Sequence, residues 1–282
     1  MSTTNGGAPR VSIVVPVYNA GGVLARALRS AATQSYRDFE TVVVDDGSTD
    51  ARTLAILDAA EREGTVAVHR TPNRGVAAAR NLAVERARGA FILPLDADDC
   101  LQRGFLEKTV LVLEENSEIA IVHTWVELIG GHHGLWRTGE FSVRALLSRC
   151  TIHVTSLYRR QIWADVGGYD SRFVESCEDW DFWLGAAKRG WTGRCVPEVL
   201  VYYRRSPTSR ELGSRAPGAS TRLMRTLVAK HRDVYVAHLE DAMAGMYERL
   251  AAAGLTLERI YDHPAMRVYV RLRNLLGRRP AA

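Results

Sequence analysis

The sequence contains no apolar run long enough to cross a bilayer and no closely spaced pair of cysteines. Its longest apolar runs, such as residues 11–17, have the length of a strand and fall far below the roughly 20 residues of a membrane span. The four cysteines are widely spaced, which argues against a zinc site and a disulfide framework. Residues 1–10 are polar and glycine-rich, a pattern that predicts a loose tail and not a signal peptide. We therefore expect a cytoplasmic protein with reduced thiols.

The motifs of several enzyme classes are also missing. The sequence has neither a Gly-x-Gly-x-x-Gly fingerprint nor a Gly-Lys-Ser/Thr loop, which weighs against a dinucleotide-dependent oxidoreductase and a P-loop NTPase. A hydrolase elbow of the Gly-x-Ser-x-Gly type is absent as well. Outside the C-terminus, the arginines behind the net charge of +5 are not interleaved with aromatic residues, so nucleic-acid binding is not expected.

The basic C-terminal segment, residues 266–279, leaves two interpretations open. It mixes apolar residues with arginines, as helices that lie on anionic lipid do. The commoner arrangement is a terminal helix packed on its domain, with the arginines in solvent. Peripheral contact with the inner face of a membrane, and an oligomer paired through these helices, therefore both stay open.

In the first half of the chain, apolar runs alternate with segments of helical periodicity. Four runs predict strands, over residues 11–15, 41–45, 66–69 and 91–95. The segments between them predict helices over residues 23–33, 51–63 and 76–87. Pro16 should end the first strand, because proline cannot donate to a central ladder. Uninterrupted apolar strands with helices between them indicate an α/β fold with a mostly parallel sheet covered on both faces.

The second half is less regular. Residues 105–115 predict a helix, residues 119–122 a strand and residues 130–134 a loop. Residues 204–219 are rich in serine, arginine, glycine and proline, which predicts a mobile loop. Two further helices are predicted, over residues 220–253 and 257–276, so the pattern ends in a helical extension.

Three predicted strands end in polar sequences: Tyr18-Asn19, Asp45-Asp46-Gly47-Ser48 and Asp96-Ala97-Asp98-Asp99. In an open α/β sheet, ligands bind outside the carboxyl ends of the strands. If these strands are parallel, all three sequences lie on one rim. We expect the binding site at this rim.

Asp96 and Asp98 place two carboxylates two residues apart, directly after a buried strand. Hard divalent cations prefer carboxylate oxygens, water and substrate phosphates, and a cation here could stabilise a departing diphosphate. The alternative is a turn in which the aspartates bond to their own backbone. The other motifs on the rim favour the metal.

The second rim sequence also has two interpretations. Ser48 or Thr49 could cap the following helix, while Asp46 could accept a hydrogen bond from a nucleotide base. Arg74, before the third helix, could supply a cation near phosphates or ribose, although alone it would be read as a solvated loop arginine.

A second acidic cluster is Glu178-Asp179-Trp180-Asp181. Ser176 could cap a helix here, with Asp179 completing a near-capping box. Alternatively, a carboxylate beside Trp180 and Trp183, whose flat faces suit sugar rings, could act as a general base. The residue types alone leave the two interpretations equally open.

Over residues 11–204, the sequence resembles an inverting glycosyltransferase of family 2 with the GT-A fold. The resemblance rests on VSIVVPVYNA, TVVVDDGSTD, NRGVAAARN with FILPLDADD, and VGGYDSRF with CEDWDFWLGAAKRGW. It implies a Rossmann-like domain in which residues 11–99 bind a nucleotide-sugar and residues 100–204 bind the acceptor. Residues 1–10 would be a tail, residues 205–219 a mobile loop and residues 220–282 a helical extension.

The resemblance assigns one set of residues to the nucleotide-sugar: Pro16, Tyr18, Asn19, Asp46, Arg74, Asp96, Ala97 and Asp98. In that set, Asp46 is implied to bond the base, usually uracil, Asp96 to contact the ribose, and Asp98 to ligate Mn²⁺ or Mg²⁺ against the diphosphate. On the acceptor side, Asp179 is implied to deprotonate the acceptor hydroxyl, with Glu178 as its helper or as a contact to the acceptor. Trp180 and Trp183 are expected to contact the acceptor.

The sequence departs from the family pattern at Ser206, where many relatives carry a histidine that helps to hold the metal. The Gln-x-x-Arg-Trp signature of processive synthases is absent, so we expect transfer of one sugar to a glycan, a lipid-linked sugar or a natural product. One alternative is a sugar nucleotidyltransferase, which typically has a glycine-rich basic loop after the first strand. Another is a non-catalytic nucleotide-sugar-binding protein, against which the intact aspartates argue.

Overall fold

The computed structural model describes residues 7–173, 176–205 and 218–262, with side chains described as far as Thr256. Within these ranges nine strands form one sheet. In chain order they are β1 (Val11–Val17), β2 (Phe39–Asp45), β3 (Ala67–Arg70), β4 (Phe91–Pro94), β5 (Cys100–Leu101), β6 (Ile119–Gly130), β7 (Gly134–Trp136), β8 (Leu157–Arg159) and β9 (Thr192–Arg205).

Helices flank the sheet. Those between the first strands are α1 (Leu24–Ala32), α2 (Ala51–Arg62), α3 (Val76–Arg86) and α4 (Phe105–Glu115). The remaining described helices are α5 (Val143–Leu146), α6 (Arg160–Val166), α7 (Glu178–Ala187), α8 (Ala219–Lys230), α9 (Arg232–Ala237) and α10 (Leu239–Asp262). None of the helices in the described ranges combines the length and the apolar composition that crossing a bilayer requires.

The strand order is β3-β2-β1-β4-β8-β6-β9-β5, with β7 paired to β6. The first four strands pair in parallel, which confirms the α/β prediction for this half of the chain. Beyond β4 the sheet is mixed, because β8 runs antiparallel to both neighbours whereas β6 and β9 run parallel. The carboxyl ends of β1, β2 and β4 therefore share one rim, as expected.

Alternation along the strands divides the core between the two faces of the sheet. Val14 packs in the cluster that includes α3, α6, α7 and the described C-terminal helices, as do Phe182 and Leu227. Its neighbours Ile13 and Val15 pack in the opposite cluster with α1, α2 and α4. The sheet is thus covered on both faces, and α7 shares one face with α3 and α8.

The prediction that Pro16 ends the first strand is wrong. Pro16 pairs with Val44 inside β1. The carbonyl of Val14 accepts from the Leu95 amide, so the backbone polar groups of Val14 point towards β4. Because this orientation alternates along a strand, the backbone nitrogen of Pro16 also points towards β4. Because β4 ends at Pro94, opposite Val14, the missing amide of Pro16 removes no bond from the ladder with β2.

The second half contains two further differences from the prediction. The helix expected over residues 220–253 is broken at His231 and His238, which carry φ/ψ values of −108°/29° and −125°/38°. Conversely, α10 passes through Gly254, where a break was expected, and reaches Asp262. Most of the predicted loop 205–219, including Ser206, lies outside the described residues, as does the basic segment 266–279.

Candidate active site

A cavity of about 480 Å³ lies beside the residues that follow β4. Its wall is assembled from segments far apart in the chain: α3, the loop after β4, the start of α7 and the end of β9. Five of the predicted site residues line it, namely Asp96, Asp98, Glu178, Asp179 and Trp180. Of the residues predicted to bind the nucleotide-sugar, six do not line this cavity: Pro16, Tyr18, Asn19, Asp46, Arg74 and Ala97.

Arg80 joins the two acidic motifs. Its guanidinium bonds Asp96 Oδ1 at 2.6 Å and Glu178 Oε1 at 2.7 Å, and its side chain is 1% exposed. Burial alone would lower the pKa of Arg80, but the charges of Asp96 and Glu178 raise it well above its usual range. A permanently charged arginine therefore holds the loop after β4 against the start of α7.

The sequence patterns did not single out Arg80. It lies in α3 among alanines, and Ala77, Ala79 and Ala83 on the same helix are buried. An arginine within a run of small residues on a buried face requires a carboxylate partner, because an unpaired buried charge is costly. The arginine within the alanine-rich sequence VAAARN is therefore the feature of the sequence that could have identified Arg80 as a buried, paired residue.

Asp179 lies in the first turn of α7 and lines the cavity. Its Oδ1 accepts from the Trp180 amide at 2.8 Å. Burial, and secondly the negative charge of Glu178, raise the pKa of Asp179 to about 7. A carboxyl with this pKa suits proton transfer near neutral pH.

The capping interpretation of this cluster is wrong. The residue that precedes α7 is Cys177, with a positive φ of 73°, and it makes no capping hydrogen bond through its side chain. Ser176 is therefore not the cap, and Asp179 does not close a capping box. Two acidic residues of the first turn, Glu178 and Asp181, are oriented by tertiary contacts instead.

The two tryptophans occupy different environments. Trp180 is half-buried in the cavity wall, where its indole N–H donates to the Leu146 carbonyl at 2.7 Å. Trp183 is 0% exposed and packs edge-on against Phe141 and Tyr158. The expectation that Trp183 contacts an acceptor is therefore wrong, because its ring belongs to the core.

Three carboxyl groups crowd the loop after β4. Asp96 and Asp98 line the cavity, and Asp99 is fully buried behind them. Asp99 Oδ1 accepts from the Arg204 amide at 2.9 Å, and its Oδ2 lies 3.7 Å from His153 Nε2. Burial first, and then the charges of Asp98 and Asp96, raise the pKa of Asp99 well above its usual range.

On the rim, Asp46 is 3% exposed and accepts from the amides of Arg74 and Gly75, each at 2.8 Å. Both of its oxygens thus orient the segment before α3. The side-chain oxygen of Asn19 accepts from the Thr49 and Asp50 amides at 2.8 and 2.9 Å. These two side chains bind loops together, and their predicted contacts with a nucleotide stay predictions.

Other rim residues differ in accessibility. Tyr18 is 54% exposed and Arg74 is exposed, whereas Pro16 is buried within β1. The helix cap expected at Ser48 or Thr49 is supplied by Asp50, which accepts from the Thr53 amide at 2.8 Å. Ala97 is half-buried and packs against the core cluster.

Residues 12–167 match the model of a family described as glycosyl transferase family 2. The chain belongs to this family. A PGL/p-HBAD biosynthesis glycosyltransferase of Mycobacterium bovis is 34% identical over 178 residues, which cover 62% of this chain and 68% of that protein. An uncharacterized glycosyltransferase of Haemophilus influenzae is 39% identical over 109 residues, 38% of this chain and 44% of that protein. The chain thus matches less than half the length of the Haemophilus relative.

The structure of S. aureus TarS in complex with UDP is also similar. Its TM-score is 0.60 at 25% identity, over 70% of this chain and 61% of that one. The family 2 assignment and this similarity establish the GT-A fold. They also favour sugar transfer over the nucleotidyltransferase alternative.

The carboxylates that line this cavity fit a hard divalent cation in their chemistry. Asp96 and Asp98 offer oxygen donors to the cavity, and the buried Asp99 Oδ2 has no hydrogen-bond partner among the described residues. Within those residues, no three acidic, histidine or cysteine side chains converge to hold a metal by themselves. A cation here would therefore need further oxygen ligands from a diphosphate and water, as Mg²⁺ sites commonly do.

Proposed function

We propose that the chain is a metal-dependent, inverting and non-processive glycosyltransferase that moves one sugar from a nucleotide-sugar to an acceptor hydroxyl. The observation that carries the proposal is one cavity that contains both Asp98, after β4, and Asp179, at the start of α7. These residues come from separate motifs 81 positions apart, yet both reach one space. The binding of UDP by the related TarS structure supports a UDP-linked donor.

In this proposal, residues of the first half of the domain bind the nucleotide and the metal. On the rim, the exposed ring of Tyr18 would lie against the base, while Asp46 holds the Arg74 segment in place. Asp98 would hold Mn²⁺ or Mg²⁺, which supplies charge neutralisation to the departing diphosphate. Arg80 bonds both Asp96 and Glu178 and so keeps their carboxylates in fixed positions.

Asp179 would take the proton of the acceptor hydroxyl. The acceptor oxygen forms its bond to the anomeric carbon as the bond from that carbon to the diphosphate breaks, with inversion of configuration. The half-buried Trp180 would form part of the wall for the acceptor. The diphosphate leaves as an anion, so the site requires no general acid.

Thermal unfolding with UDP, GDP or dTDP, each with and without Mn²⁺, tests this function. One nucleotide at a hundredfold excess over its Kd should add about 2.7 kcal/mol to the free energy of unfolding. For a chain of this size that corresponds to a rise of roughly 5–10 °C in Tm. Asp98→Asn should remove the part of the shift that depends on Mn²⁺, whereas Asp165→Asn, at an exposed position on α6, should retain it. The absence of a shift with every nucleotide would contradict the proposal.

The pH dependence of sugar transfer should report Asp179. A general base acts in its deprotonated form, so kcat/KM should rise with pH through about 7 and level off above it. An unperturbed aspartate would place that rise near pH 4. Initial rates of UDP release from a UDP-sugar, with water as the acceptor, would measure the profile between pH 5 and 9. A rate that stays flat from pH 5 upward would exclude Asp179 as a base with a pKa of about 7.

A further inference from the structure

The first turn of α7 is held from two sides. On one side, Glu178 is bound by the buried Arg80 of α3. On the other, Asp181 is 0% exposed and is bound by two consecutive residues where α8 ends, Lys230 and His231. The C-terminal helices therefore contact the same helix turn that carries Asp179.

The contacts of Asp181 are short and use both of its oxygens. Oδ1 lies 2.9 Å from His231 Nε2, and Oδ2 lies 2.7 Å from Lys230 Nζ. The same Nζ is 2.8 Å from Asp170 Oδ2, in the loop that precedes α7. Charge-assisted hydrogen bonds of this kind are among the strongest in proteins and fix geometry as well as adding energy. One lysine thus joins α8, α7 and the loop that precedes α7.

Local sequence does not fix where α7 begins. No side chain caps the helix, and Cys177 before it has a positive φ. In an α-helix, residues two apart differ in direction by about 200°, so Asp181 points away from the side of the helix that bears Asp179. A roll of the first turn that displaced Asp181 would therefore displace Asp179 within the cavity.

We infer that Lys230 and His231 are positioning residues that hold Asp179 in its productive place through Asp181. The C-terminal helix α8 is accordingly a part of the transfer site, although it supplies no residue to the cavity wall within the described ranges. This inference rests on the proposed function, in which Asp179 is the base. It extends that function to a segment beyond the part of the chain that matches the family model.

The test compares Lys230→Met with two other variants. Lys230→Arg keeps the charge. Lys188→Met removes a different contact between α7 and the C-terminal helices, because Lys188 follows α7 and lies 3.2 Å from Asp233. We expect Lys230→Met to lower kcat for UDP release from a UDP-sugar by about 10- to 100-fold, the cost of a small misplacement of a catalytic group. The Kd for UDP should stay within twofold, Lys230→Arg should recover most of the rate, and Lys188→Met should match the parent protein.

A double variant separates positioning from general stability. In the Asp179→Asn background, Lys230→Met should cause no further loss of kcat, because its effect passes through the residue already replaced. If Lys230→Met fails to fold, as judged by circular dichroism, Asp181→Asn keeps the size of the side chain and should show the same pattern.

Two results would overturn the inference: a kcat for Lys230→Met equal to that of the parent, or a full additional loss in the Asp179→Asn background. Failure of the proposed function looks different. In that case UDP does not bind the parent protein, or Asp179→Asn alone retains the parental rate.

Discussion

Asp179→Asn is expected to lower kcat by about 10²- to 10⁴-fold, the usual contribution of a general base. Asparagine has the size of aspartate and can still accept from the Trp180 amide, so the structural change is small. What it loses is the ability to take a proton from the acceptor hydroxyl. Steady-state rates of nucleotide release, measured with a sugar donor that carries the nucleotide identified by thermal unfolding and with water as the acceptor, would give the value.

Two companion measurements make this result specific. The Kd for UDP in the presence of Mn²⁺ should be nearly unchanged, because the proposed nucleotide contacts lie on the rim and at Asp98. Asp165→Asn, on the exposed side of α6, should retain the parental kcat. Parental turnover by Asp179→Asn would remove this residue from the role of base.

Arg80→Met is expected to reduce the free energy of unfolding by about 3–5 kcal/mol, the range found when one partner of a buried ion pair is removed. The substitution leaves the carboxylates of Asp96 and Glu178 without their shared cation, and Glu178 is only 6% exposed. A fall in Tm of roughly 6 °C or more should follow. Thermal and urea unfolding, followed by circular dichroism, would measure both quantities.

Arg70→Met is the matched control for this prediction. Arg70 also bonds two carboxylates, Asp58 and Glu61, but all three side chains are more than 40% exposed. Surface ion pairs contribute about 0–1 kcal/mol, so its Tm should change little. Equal Tm losses in the two variants would contradict the prediction, because they would show that burial does not increase the contribution of the Arg80 ion pairs to stability.

The first half of the fold could be predicted because its signals are local. Runs of valine and isoleucine, separated by segments of helical period, define the strands and helices of a parallel sheet without knowledge of distant contacts. Whether β1 tolerates Pro16 depends on where the neighbouring strand β4 ends, which the sequence of β1 does not show. The register of two strands cannot be read from one of them.

The C-terminal half required tertiary information. Residues 220–253 have a continuous helical period, but the chain leaves helical geometry at His231, whose side chain bonds the buried Asp181. Nothing near His231 in the sequence reveals this partner, which lies 50 positions away. The extension of α10 through Gly254 is the converse case, since a single glycine costs a helix only about 1 kcal/mol.

The candidate site also has features that the sequence predicts and features that it does not. Aspartates at strand ends could be located from the sequence, because their position follows from the strand pattern. The environment of each side chain could not, so Trp180 and Trp183 were assigned one role although one lines a cavity and the other is core. The sequence does not reveal the role of Arg80, because its two partners, Asp96 and Glu178, come from separate segments.

The hydrogen bonds of Asn19 and Asp46 have a consequence for the thermodynamics of binding. Asn19 ties the end of β1 to the start of α2, and Asp46 ties the end of β2 to the segment before α3. These loops are therefore ordered before any ligand arrives. A molecule that docks on this rim loses little affinity to the conformational entropy of the protein, since the cost of ordering the loops was met during folding.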